Sequence, residues 1–115
     1  MRLTGGFLKN HSLKTPKGVA TRPTSEKLRQ SVFNICQHAI KDAHFLDLFA
    51  GSGAMGIEAL SRGAAEATFI EKNPSALKAL RENLMDLDLS PLATLHAGDV
   101  LTLLKKLKGK TFDLI

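Results

Sequence analysis

The sequence has a single cysteine, no tryptophan, no tyrosine and no long apolar run. Cys36 alone cannot close an intramolecular disulfide or build a thiolate zinc site, and the four scattered histidines show no metal-ligand spacing. A disulfide scaffold and a zinc module are thereby excluded. No window approaches the ~20 consecutive apolar residues of a membrane span. The N-terminus MRLTGGFLKN also lacks the apolar stretch of a secretory signal, so the expected compartment is the cytoplasm. What remains is ordinary globular composition, 115 residues of which 43% are apolar and 23% charged. That length suits one domain with a substantial core.

Acidic residues are scarce at one end. Residues 1 to 29 hold Arg2, Lys9, Lys14, Lys17, Arg22, Lys27 and Arg29 against Glu26 alone, a net of +6, whereas residues 30 to 115 hold nine basic and ten acidic side chains. A basic segment beside a near-neutral body is the electrostatic footprint of a phosphate-backbone binder, although a solvated tail has the same composition.

Residues 1 to 21 mix short apolar pieces with Gly5, Gly6, Asn10, Pro16 and Gly18, which predicts a twisted hairpin or loop. From Thr24 the pattern becomes helical to about Ala39 to Lys41: Leu28, Val32, Ile35 and Ala39 recur on one face, with Lys27, Arg29 and Gln30 mostly off it, free to present charge. Phe45 to Ala50 then reads as a strand, Ile57 to Arg62 as a helix ended by Gly63, and Ala67 to Glu71 as a second strand. Asn73 and Pro74 open a helix whose buried stripe is Leu77, Leu80, Leu84 and Leu87. Pro91 precedes a strand from Ala93 to Ala97, a helix follows from about Leu101 to Leu107, and Thr111 to Ile115 reads as a fourth strand. This alternation predicts an α/β fold, an open, doubly wound parallel sheet of Rossmann type with right-handed crossovers. The sequence stops inside the expected fourth strand, so the domain is expected to be truncated there.

Gly51-Ser52-Gly53-Ala54-Met55-Gly56 fits G-x-G-x-x-G directly after a predicted strand and before a helix. Glycines suit such a turn because the backbone must bend tightly and approach a ligand with no Cβ in the way. Gly56 is followed by Ile57-Glu58, not by Lys and Ser or Thr, so a nucleoside triphosphate cradle is excluded. Ser52 has Ala50 two residues before it, which excludes a nucleophile elbow. Dinucleotides and S-adenosylmethionine remain. Asp47, four residues before Gly51, separates them: a carboxylate there suits the cofactor's ammonium and sits badly beside a pyrophosphate. Glu71, 20 residues after Gly51, can accept both hydroxyls of a ribose. Asp99, after the third strand, can accept from an adenine amino group while Val100 flanks the ring; equally, it can cap the helix beginning there.

Asp47-Leu48-Phe49-Ala50-Gly51-Ser52-Gly53, Gly56-Ile57-Glu58-Ala59, Glu71, and Arg22-Pro23-Thr24 ahead of a helix with Arg29, Val32, Phe33 and Asn34 closely resemble the RsmD-type bacterial methyltransferases. These methylate a guanine exocyclic N2 of small-subunit (16S) ribosomal RNA. The resemblance implies a class I methyltransferase fold and S-adenosyl-L-methionine as cofactor. It places Asp47, Phe49, Ala50, Gly51, Ser52 and Gly53 at the methionine end, Glu71 at the ribose, and Asp99 with Val100 at the adenine. Arg22 and Thr24 would close the site near the incoming nucleotide, and Arg2, Lys9 and Lys14 would grip RNA. Residues 1–23 are thus expected to form a basic RNA-binding segment, and residues 24–115 an incomplete cofactor-binding domain. Ribosomal RNA, free or in a small-subunit assembly particle, is the implied partner. The family's Asp/Asn-Pro-Pro-Tyr/Phe motif follows the fourth strand and has no counterpart up to Ile115, so no catalytic residue is assigned. A non-catalytic RNA- or nucleoside-binding fragment, a nicotinamide-dependent oxidoreductase and an adenine-N6 nucleic-acid methyltransferase are the rival readings.

Overall fold

The computed structural model describes residues 1–15, 23–107 and 112; the expected fourth strand, Arg22 and the side chain of Thr24 lie outside the described residues. Three parallel strands, β1 (His44–Asp47), β2 (Glu66–Glu71) and β3 (Ala93–Ala97), form a sheet in that order. Register sets Asp47 opposite Phe69 and Glu71 opposite Ala97, so the C-terminal ends of the strands lie along one edge. The helices are α1 (Pro23–Ile35), α2 (Gln37–Ile40), α3 (Ala54–Ser61), α4 (Pro74–Asp86) and α5 (Val100–Lys106). A short 3-10 turn at Ser90–Leu92 fills the connection around Pro91.

Strand alternation divides the apolar side chains between two faces. Phe45, Ala67 and Phe69 join Phe33, Ile57, Leu60, Leu80 and Leu84 in the larger core, while Leu46 and Ile70 meet Leu103 and Leu107 of the α5 side on the other. Helical layers on both faces are the doubly wound arrangement expected. The start of α4 follows its sequence signal: Asn73 Oδ1 accepts from the backbone N–H of Ser75 and Ala76 at 2.9 and 3.3 Å, with Pro74 at the first helical position. Gly56 lets α3 lie directly on β2, since a Cβ there would stand 2.3 Å from the Phe69 ring.

Residues 1–15, the described part of the N-terminal segment, form a loop closed by an antiparallel bridge between Arg2 and Ser12. Leu3 and Leu13 are buried in the larger core, which makes the segment part of the domain's packing.

The first helical region differs from expectation in two ways. It breaks at Cys36 into α1 and α2, and its orientation is rotated. Leu28 and Ile35 are 65% and 82% exposed, whereas Arg29 is 3% exposed and Phe33 and Ile40 are buried. The Phe33 ring lies 6.1 Å from that of Phe45 and carries the Arg62 guanidinium 5.4 Å from its centroid. Arg29 therefore presents no charge outward; it faces inward because Glu58 of α3 receives it.

Candidate functional site

The first strand ends at Asp47, sooner than the predicted Ala50, and residues 48–50 turn into the glycine loop. Gly51 adopts φ +56° with open space where a side chain would lie, a backbone left accessible from outside. Below it the loop is held at both ends. Ala50 N–H donates to Ile70 O at 3.1 Å and Gly53 N–H to Ala50 O at 2.8 Å, so the buried Ala50 braces the loop, and Ser52 is buried beside it.

Glu71 is the principal organiser. Its Oε1 accepts from Gly51 N–H at 2.8 Å, and its Oε2 accepts from Lys72 and Asn73 N–H at 2.9 and 2.8 Å. A carboxylate has about four lone-pair sites, so one remains for an incoming donor. Two hydroxyls at once would require one of these three N–H donors to let go. Asp99 caps α5, its Oδ2 accepting from Thr102 N–H at 3.2 Å.

Phe49, Glu71, Asp99 and Val100 line one cavity of about 280 Å³, floored by Ile70 and bordered by Leu101. Asp47 lies apart from it. It borders a neighbouring hollow of about 260 Å³ together with Met55, and Leu48 and Phe49 belong to both. The 80% exposed Phe49 thus stands as a partition between the two. Burial pushes the Asp47 carboxyl up to about 6; N–H donors of Gly56 and Phe49 pull it down in part, and the Glu71 charge adds to the rise. Among the described residues no cation pairs with it.

The basic segment is less free than its composition suggests. Lys9 and Arg2 are exposed, but Lys14 Nζ is shared by Glu82 and Asp86 at 3.2 and 3.3 Å, and these two carboxylates hold its ammonium above the usual lysine range. Two polar clusters escaped the sequence reading. Glu58, fully buried, accepts from Thr4 and Gly5 N–H, from Arg29 Nε at 2.9 Å and from Arg62 Nε at 2.8 Å. Arg29 also donates to the Arg2 carbonyl. Asn83, on the buried side of α4, ties Lys14 to Ser52. Its signal was an amide set between Leu80 and Leu84 in an apolar stripe, a place where a helix gains nothing from asparagine.

A family model described as conserved hypothetical protein 95 matches residues 1–115. Ribosomal RNA small subunit methyltransferase D of Escherichia coli K12 is 42% identical over 99 residues, covering 86% of this chain and 46% of that protein. The protein of the same name from Buchnera aphidicola of Acyrthosiphon pisum is 33% identical over 113 residues, covering 98% of this chain and 59% of its own length. The structure of a hypothetical protein from Thermus thermophilus superimposes with a TM-score of 0.81 at 35% identity, covering 96% of this chain and 62% of that one. The chain spans about half the length of the curated relatives it matches.

Proposed function

The chain belongs to the family described as conserved hypothetical protein 95, the RsmD-type family, and from that premise we propose that it is the cofactor-binding portion of an rRNA methyltransferase. The reaction is transfer of a methyl group to a guanine exocyclic N2 of small-subunit ribosomal RNA. S-adenosylmethionine, when bound, supplies the electrophilic methyl group on its sulfonium.

The observation that carries the reading is the cavity in which Glu71 and Asp99 stand over an apolar floor of Ile70 and Val100. Such a lining suits a nucleoside: apolar walls for the base, acceptors for its amino group and its ribose. Glu71 takes a ribose hydroxyl with its remaining lone pair. The cap of α5 occupies Oδ2 of Asp99, and Oδ1 is assigned to the adenine amino group. Asp47 is the counter-charge for the cofactor's ammonium, with Phe49, Ala50, Gly51, Ser52 and Gly53 shaping the passage between the two hollows. A cation there would pull the buried carboxyl back toward the usual carboxylate range.

Residues 1–23 are assigned to RNA and residues 24–115 to the cofactor. Arg2 and Lys9 contact phosphates, and Lys14 joins them by exchanging its surface partners, since exposed pairs are worth only ~0–1 kcal/mol. Arg22 and Thr24 close the site beside the target nucleotide. Base contacts would then set which guanine is used, because phosphate contacts position without specifying.

Calorimetric titration of the chain with S-adenosylmethionine and with NAD tests the reading. S-adenosylmethionine is expected to bind and NAD not, and Glu71→Ala is expected to weaken binding by roughly ten- to a hundredfold, the loss of a charged hydrogen bond. Preference for NAD, or no binding by either, overturns it.

A further inference from the structure

Asn83 lies at the meeting of the two regions assigned above. It is 2% exposed, and every polar group of its amide is used. Oδ1 accepts from Lys14 N–H at 2.7 Å, and Nδ2 donates to Lys14 O at 3.0 Å and to Ser52 O at 3.0 Å. One side chain therefore pairs with both backbone groups of a residue in the basic segment, as a strand neighbour would. The same NH2 holds the carbonyl in the middle of the glycine loop.

The course of the segment gives this contact its meaning. It is fixed at the far end of α3, where Phe7 N–H donates to Ser61 O at 2.9 Å and Leu8 N–H to Ser61 Oγ at 3.0 Å. From there it runs to Lys14 beside the loop, and Leu13, packed in the core, keeps it on the surface of the domain. The segment thus has a structural anchor remote from the cavity and a second anchor shared with the loop that borders it. A ligand that stiffens the segment removes freedom from Lys14 and, through a single buried amide, from Ser52. Ordering of one site lowers the entropy cost of ordering the other, and the linkage is reciprocal.

We propose that Asn83 is a positioning residue that couples the basic N-terminal segment to the glycine loop, so that RNA and S-adenosylmethionine bind cooperatively. The proposal rests on the functional reading above. Its measure is the ratio of S-adenosylmethionine affinities with and without saturating purified small-subunit ribosomal RNA, obtained with the full chain. Coupling between sites is typically roughly 5- to 150-fold, and a ratio of at least about fivefold is expected here. In Asn83→Ala it falls to about one while each ligand alone still binds. Asn83→Asp keeps the acceptor for Lys14 N–H but loses both donors, and is expected to abolish the ratio in the same way.

Should neither variant fold, amide hydrogen exchange on the wild-type chain decides. RNA alone should slow exchange at Ser52 and Gly53; unchanged exchange there overturns the proposal. A wild-type ratio of one, with both ligands bound, overturns the coupling and leaves the functional reading intact. A ratio kept in Asn83→Ala assigns the coupling elsewhere and overturns the role of Asn83. Failure of either ligand to bind the wild-type chain removes the functional reading, and the coupling with it.

Discussion

Two buried carboxylates, Glu58 and Asp47, lie eleven residues apart on either side of the glycine loop and live in opposite surroundings. Burial would raise the Glu58 carboxyl, but the Arg62 guanidinium, the Thr4 N–H and Arg29 outweigh it and hold it below the usual carboxylate range. Asp47 has two backbone N–H donors and, among the described residues, no cation, and burial wins, at about 6. The contrast separates two uses of the same chemistry. A carboxylate met by two guanidinia joins parts of the fold, here α1, α3 and the N-terminal segment; one left with an incomplete set of partners has the chemistry to accept a cationic ligand, the role proposed for Asp47.

The comparison breaks most severely at Glu58. Glu58→Ala leaves Arg29 buried without its counter-charge and should cost about 3–5 kcal/mol in urea unfolding. Wild-type-like stability would show that the ion pairs are dispensable.

Asp47→Asn should act in the other direction at neutral pH. It removes a charge the fold disfavours, so the ligand-free chain is expected to gain about 1–3 kcal/mol at pH 7, while S-adenosylmethionine affinity drops at least about tenfold. The pH dependence carries opposite signs at the two groups. The folded Asp47 binds its proton more tightly than the unfolded value of 3.8, so its contribution to stability declines as pH rises from about 4 to about 6. Glu58 is depressed, so its contribution is present above its unfolded value of 4.5 and is lost as pH falls below it. Acidification from pH 7 should therefore first stabilise and then destabilise the chain, with the first arm absent in Asp47→Asn. Cofactor affinity should rise with pH through about 6 in the wild type and stay flat in that variant.

The smallest effect is expected on the outer face of α1. Ile35→Ser should change stability by less than about 0.5 kcal/mol, although periodicity alone marks Ile35 as core. A loss of about 2 kcal/mol or more in the same denaturation assay would place that face against the domain.

Much of the fold was legible because its signals are local. The Asn73-Pro74 start, the leucine stripe of α4 and the glycine loop each act within a few residues, through a cap, a helical repeat or a steric requirement on one Cβ. The cavity was partly legible: Glu71, Asp99 and Val100 come together as the strand-end spacing implied, whereas Asp47 borders a separate hollow behind Phe49. The face of α1 was misread because apolar periodicity identifies a stripe without saying which side turns inward. That depends on Glu58, 29 residues beyond Arg29, and no spacing rule reaches that far.

By itself, then, the sequence determined the order of elements, the glycine turn and the acids at the strand ends, all of which follow from short-range sterics and the pleat of a strand. Tertiary structure alone decided which charges are buried as pairs, that Lys14 and Ser52 share one amide, and that, among the described residues, no cation reaches Asp47. Those outcomes depend on desolvation, and a group's desolvation is set by the residues that fold around it from elsewhere in the chain.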